Sequence, residues 1–199
     1  MRKLRIFLLI ATCAVIYGCP FESTVPLAAS PAEPVDTSLF GYWYGIVKDG
    51  SDFFGIEALE IDKQPDNDSI YSIIRYGKAI KGDIILPDTS YFTGYVSYIG
   101  DQRFMNVEGT VLITSYNRKK GTVVEAHKVF YLSNILRSND TLSVKTITEQ
   151  FSPSRQRFTS PAMLKEEVRS LLQSKENIYD DIYSMSYRKI EKPKPLKGF

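Results

Sequence analysis

From Ser38 onward the chain alternates apolar and aromatic runs with turn signals, the pattern of an antiparallel β-protein. Leu39 to Val47 reads as a first strand, ended by the turn cluster Lys48-Asp49-Gly50-Ser51. Phe53 to Ile61 follows, then a second turn cluster at Gln64 to Asp68. Ser69 to Tyr76 is apolar on both faces, Ile70 and Ile74 on one and Tyr71 and Ile73 on the other, which predicts burial on both sides or an open interior. A short strand is expected over Asp83 to Leu86, before Pro87-Asp88, and a longer one over Tyr91 to Ile99. Gly100-Asp101 turns the chain into Arg103 to Leu112, and Tyr116 to Gly121 reads as an exposed loop. Val123 to Leu136 and Thr141 to Ile147 form a hairpin about Ser138-Asn139-Asp140. Strands at this spacing predict a meander that closes into a barrel or bends into a strongly curved sheet.

One helix stands out, over about 160–175. Ser160 suits the N-cap and Pro161 the first helical position. Leu164, Val168, Leu171 and Leu172 recur at helical spacing as one apolar stripe, with Lys165, Glu166, Glu167 and Arg169 around it. Such a helix packs on the sheet or plugs a barrel end. A last strand is expected around Tyr183, Met185 and Tyr187, and residues 191–199 read as a disordered tail. Residues 37–190 thus form a single β-rich domain. At about 160 residues it buries roughly 68–70% of its unfolded surface and can hold a core without staples.

The chain before it has a different pattern. Arg2, Lys3 and Arg5 precede an apolar stretch from Ile6 to Tyr17 that is too short to span a bilayer. Residues 19–36, with Pro20, Pro26, Pro31 and Pro34 among small residues, read as a flexible, solvated tether. The junction Val15-Ile16-Tyr17-Gly18-Cys19 resembles the lipobox of bacterial lipoproteins. That resemblance implies that residues 1–18 are a signal peptide, that Cys19 carries diacylglycerol and usually an N-terminal acyl chain, and that the protein sits on an envelope membrane. Pro20 directs the expectation to the outer membrane. Tyr17 is bulkier than the pattern prefers, and Cys13 is a poorer rival because Thr12 precedes it.

Processing changes the charge. Losing Arg2, Lys3 and Arg5 takes 25 Lys+Arg to 22 against 23 Asp+Glu, so the formal charge passes from +2 to −1. Without a basic surplus, nucleic acid is not an expected partner. With Cys13 removed and Cys19 acylated, no disulfide or cysteine metal site is left.

Little catalytic chemistry emerges. His127 is the sole histidine, set between charged neighbours on an expected strand, and no Gly-x-Ser-x-Gly elbow or phosphate loop exists. The carboxylates Glu57, Glu60 and Asp62, Glu166 and Glu167, and Asp180 and Asp181 read as solvated surface charge. Asp66, Asn67 and Asp68 lack the spacing of a calcium loop. No cofactor or metal is implied. Aromatic residues, 13% of the chain, are the remaining feature. Tyr42, Tyr44 and Tyr95 are candidate ligand contacts, with core filling as the competing role for each.

Phe40-Gly41-Tyr42-Trp43-Tyr44 resembles the Gly-x-Trp signature on the first strand of lipocalins. The likeness implies a lipocalin-like barrel with Gly41 and Trp43 as structural residues and the Trp closing the barrel base. Tyr98 to Val107 and Asn139 to Val144 are also similar to segments of small lipocalin-like bacterial lipoproteins. The functional expectation is a lipid-anchored, non-catalytic module holding a small apolar or amphipathic ligand. The alternatives are a protein that docks to another envelope component and, behind it, a hydrolase.

Overall fold

The computed structural model describes residues 20–49, 52–81, 84–117, 121–152 and 157–192. Cys19, the signal segment and residues 193–199 lie outside them. Eight antiparallel strands close into one barrel in sequence order: β1 (Gly41–Asp49), β2 (Asp52–Lys63), β3 (Tyr71–Lys81), β4 (Ile84–Ile99), β5 (Gln102–Asn117), β6 (Gly121–Ser138), β7 (Thr141–Ile147) and β8 (Tyr179–Ile190). The barrel, not the bent sheet, is the outcome of the meander: β1 pairs with β8 from Tyr42↔Ile190 to Gly45↔Tyr187. Its eight-stranded antiparallel form is compatible with the lipocalin-like expectation. No described helix is long and apolar enough to cross a membrane.

Several strands outrun their expected lengths. The short strand before Pro87 and the one after it are a single element, β4, in which Pro87 stands opposite Lys78. Proline is tolerated there because β4 meets β5 only over Thr93–Ile99, so its first half is an edge. Likewise β5 and β6 continue through much of the expected loop to Asn117↔Gly121.

Alternation sorts the side chains into two cores. The inner core holds Trp43, Ile61, Ile73, Met105, Ile135, Leu142, Met185 and Tyr187. The second core lies outside the barrel wall. There α1 (Pro161–Gln173) buries Leu164, Val168 and Leu171 against Phe130, Leu132 and Ile147. The apolar stripe therefore covers the wall rather than plugging an end. The Ser160 hydroxyl accepts the Met163 N–H at 3.3 Å, as an N-cap does.

The flexible tether is not what residues 20–36 form. They make a strap bound to the barrel. Ser23 exchanges backbone hydrogen bonds with Phe130, and Phe21 N–H donates to the Ile147 carbonyl, filling the place where β6 and β7 part beyond Ser133↔Thr146. Leu27 is buried, with its N–H on Asn106 Oδ1 at 2.7 Å, and the Tyr95 hydroxyl donates to the Ala28 carbonyl at 2.5 Å. Phe21 packs on Phe151, ring centroids 4.7 Å apart. A proline-rich composition suggests solvation, but here the edge of β6 and the apolar outer wall supply the partners that outweigh it.

The strap then turns under the barrel. Glu33 and Asp36 hold Arg103 at 2.5 and 3.1 Å, and Asp36 N–H donates to the Tyr71 hydroxyl. A 3-10 turn, Thr37–Leu39, places Leu39 inside the base. Gly41 has φ +114°, a conformation that side chains resist, and it leads into Trp43, which is fully buried and donates Nε1–H to the Leu39 carbonyl at 2.8 Å. This end, with the turns at 64–70, 100–101 and 139–140, is the base. The other end, where β1–β2, β3–β4 and β5–β6 connect, is the mouth.

A cavity inside the barrel

The wall above Trp43 does not close on itself. It encloses a cavity of about 330 Å3, at the lower end of the range of small-molecule sites. The floor and sides are apolar: Leu39, Ile61, Ile73, Met105, Ile135 and Leu142 among them. Phe92 and Tyr131 meet edge to face at 6.2 Å across the upper wall. Ser133 and Thr146 pair their hydroxyls at 2.9 Å, so neither is an orphan polar group. Toward the mouth, Arg75 and Tyr183 line the cavity and reach solvent, and Pro20 of the strap joins the rim.

One charged cluster breaks the apolar lining. Glu57 is only 5% exposed, and it accepts Arg75 Nε–H and the Tyr187 hydroxyl, each at 2.5 Å. Asp88 stands 3.4 Å from Arg75 Nη1. The arrangement depends on a gap in the wall. Gly45 stands between Tyr187 on β8 and Glu57 on β2 in the register, and a Cβ there would lie 2.8 Å from the Tyr187 ring. Only the missing side chain lets the phenol cross β1 to the carboxylate. Burial, followed by the Glu57 charge, pushes the Tyr187 hydroxyl well above its usual pKa, so it remains a donor. Burial works against the Arg75 charge, but the Glu57 carboxylate more than compensates and the guanidinium is held firmly protonated. Tyr131 is pushed up to about 12 by burial and by Glu22, which accepts its hydroxyl at 3.0 Å.

Glu57 therefore sits inside the barrel as half of an ion pair, which corrects its reading as solvated charge. The signal was present: Glu57 shares the inward register of Leu59 and Ile61. Asp180 is corrected too. It lies on β8, buried, and caps the Ile182 and Tyr183 N–H groups at 2.8 and 3.0 Å. Asp181 beside it is exposed, as are Glu166, with Arg169, and His127, 3.3 Å from Glu125.

The three candidate tyrosines are not brought together. Trp43 and Gly45 point inward, so Tyr42 and Tyr44 point out, and Tyr42 donates its hydroxyl to Glu60 on the outer face. Tyr95 also faces out, under the strap. None of the three lines the cavity, whose aromatic contacts are Phe92, Tyr131, Tyr183 and Tyr187. Among the described residues no cluster of histidine, cysteine and acidic side chains is placed to hold a metal. What the site can do is enclose an apolar body and offer hydrogen bonds to one polar group near Arg75. Comparison of the chain with protein-family models, curated proteins and solved structures finds no match.

Proposed function

We propose that this is an envelope lipoprotein, anchored through acylated Cys19, whose barrel binds a small amphipathic ligand without transforming it. The observation that supports the ligand is the cavity: apolar over its floor, with a single charged cluster on the wall nearest the mouth. An apolar body would lie on Ile73, Met105 and Ile135, and a polar end would meet the guanidinium of Arg75. The Glu57 carboxylate already serves two donors, which suits it to fixing Arg75 rather than to taking a proton from a substrate. The anchor rests on the lipobox likeness, and the Pro20 neighbour favours the outer membrane.

The test is native mass spectrometry of residues 20–199, the span that keeps the strap, against the same sample denatured. Mass lost on denaturation is the expected result, and Val144→Phe, which fills the cavity, should abolish it. A bare mass from every preparation would refute the carrier. Acyl mass on the exported protein that vanishes in Cys19→Ala is the corresponding check on the anchor. The competing reading, a protein that docks to an envelope partner, is favoured by one observation, the exposed apolar face of the β5–β6 hairpin, and a consistently bare mass would strengthen it.

A further inference from the structure

The strands do not end together at the mouth. β5 meets β4 only up to Glu108, and β6 meets β7 only from Ser133, so Gly109 to Asn117 and Gly121 to Val129 pair with each other alone. At about 3.4 Å per residue this two-stranded ribbon extends roughly 30 Å beyond the Glu108 level. One of its faces carries Leu112, Ala126, Val124 and Tyr116 with three threonines, as the register Leu112↔Ala126, Thr114↔Val124 and Tyr116↔Thr122 requires. Among the described residues of the ribbon, the only charge on that face is Lys128 at the root, paired with Glu108 at 2.8 Å. Leu112 is 70% and Tyr116 79% exposed. A lone ribbon with an apolar face is marginal in water, and such a surface marks a contact.

The direction of the ribbon identifies the contact. The strap begins at Pro20, on the rim of the cavity and beside Thr148 at the mouth end of β7. An acyl group on the residue before Pro20 would therefore hold the mouth, not the base, against the membrane. We infer that the barrel stands mouth-down on the bilayer, with the β5–β6 ribbon laid into the headgroup region on its Leu112–Tyr116 face and the cavity open toward the lipid. This rests on the proposed anchor. It also narrows the proposed ligand to an amphiphile taken from, or delivered to, the membrane. Tyr116 suits the part: an amphipathic ring favours the interface between headgroups and hydrocarbon.

The experiment uses the exported, acylated protein in vesicles of phosphatidylglycerol and brominated phosphatidylcholine. Its thiol is blocked by the lipid, so Tyr116→Cys and, on the base side, Leu136→Cys each give one site for an environment-sensitive dye. Both positions are exposed, 79% and 67%, so a cysteine at either replaces no buried side chain. The inference expects severalfold quenching of the Tyr116→Cys label and little on Leu136→Cys. Equal quenching, none at either site, or protection of the Tyr116→Cys label by a crosslinked protein instead of lipid would overturn it. Dye uptake by the unsubstituted protein would expose a free Cys19 and sink the anchor alone. Vesicle quenching of Tyr116→Cys on a Cys19→Ser background then decides the ribbon by itself, its presence keeping the contact and its absence ending it.

Discussion

Arg75→Met is the most informative perturbation of the cavity wall. It leaves Glu57, 5% exposed, with only the Tyr187 hydroxyl as a partner. Removing one member of a buried pair typically costs about 3–5 kcal/mol, because the other charge stays buried. Arg75 is itself 31% exposed along its side chain, which puts the expected loss near the lower end. For a domain of this size that lowers Tm by roughly 6–12 °C. Adding Glu57→Gln keeps an acceptor for Tyr187 but removes the charge, and the double variant should return to within about 1 kcal/mol of the parent. The coupling between the two sites is then about 2 kcal/mol or more. Trp43, the single tryptophan, reports unfolding in urea by fluorescence. A double variant no more stable than Arg75→Met would refute the ion-pair account.

Gly45→Ala should displace the Tyr187 ring, costing about 1–3 kcal/mol by overpacking and removing the phenol from Glu57, visible as a lowered tyrosine pKa in ultraviolet titration. Tyrosine burial also makes the fold alkali-sensitive. Tyr95 and Tyr131, pushed up to about 12, contribute stability that is complete below about pH 10 and lost as pH rises from there through 12, so unfolding followed by circular dichroism should coincide with a late, cooperative tyrosinate signal. At the acid end, burial favours protonated Asp36, but hydrogen bonds from Ser38 and Arg103 outweigh it and lower its pKa. Its contribution is present above about pH 4 and lost as pH falls through the folded value, so amide exchange in the 33–39 segment should quicken there first. Leu27→Ala removes a fully buried side chain from beneath the strap and should cost about 2–5 kcal/mol in urea unfolding.

The barrel was legible because alternation at period two survives in nearly every strand, and the helix because its stripe and cap are local. Composition speaks for the isolated segment, whereas the strap's stability comes from Asn106, Phe130 and Ile147, which lie roughly 80–125 residues further along the chain than the strap residues they meet. Even so, Phe21, Ser23, Val25 and Leu27 keep the same alternation, buried or half-buried between exposed Glu22 and Thr24, and that weak signal was readable. An interior cavity was legible, but the residues that line it were not. Aromatics did mark a pocket, yet Trp43 and Gly45 facing inward force Tyr42 and Tyr44 outward. Glu57 was hidden by its charge, because only the closing of β8 onto β1 brings Tyr187 across Gly45 to meet it.

The strap also constrains the order of assembly. Phe21 and Ser23 leave the ribosome early, but their partners Ile147 and Phe130 follow more than a hundred residues later, and the contact between Ser38 and Lys189 spans 151 positions. Contacts of such range are slow to form. The barrel seam closes only where β8 meets β1, so that closure waits on the last strand to be made. On the export route proposed above, that delay would favour a chain still open for threading, and the stitch between β6 and β7 is one of the long-range contacts that wait for it.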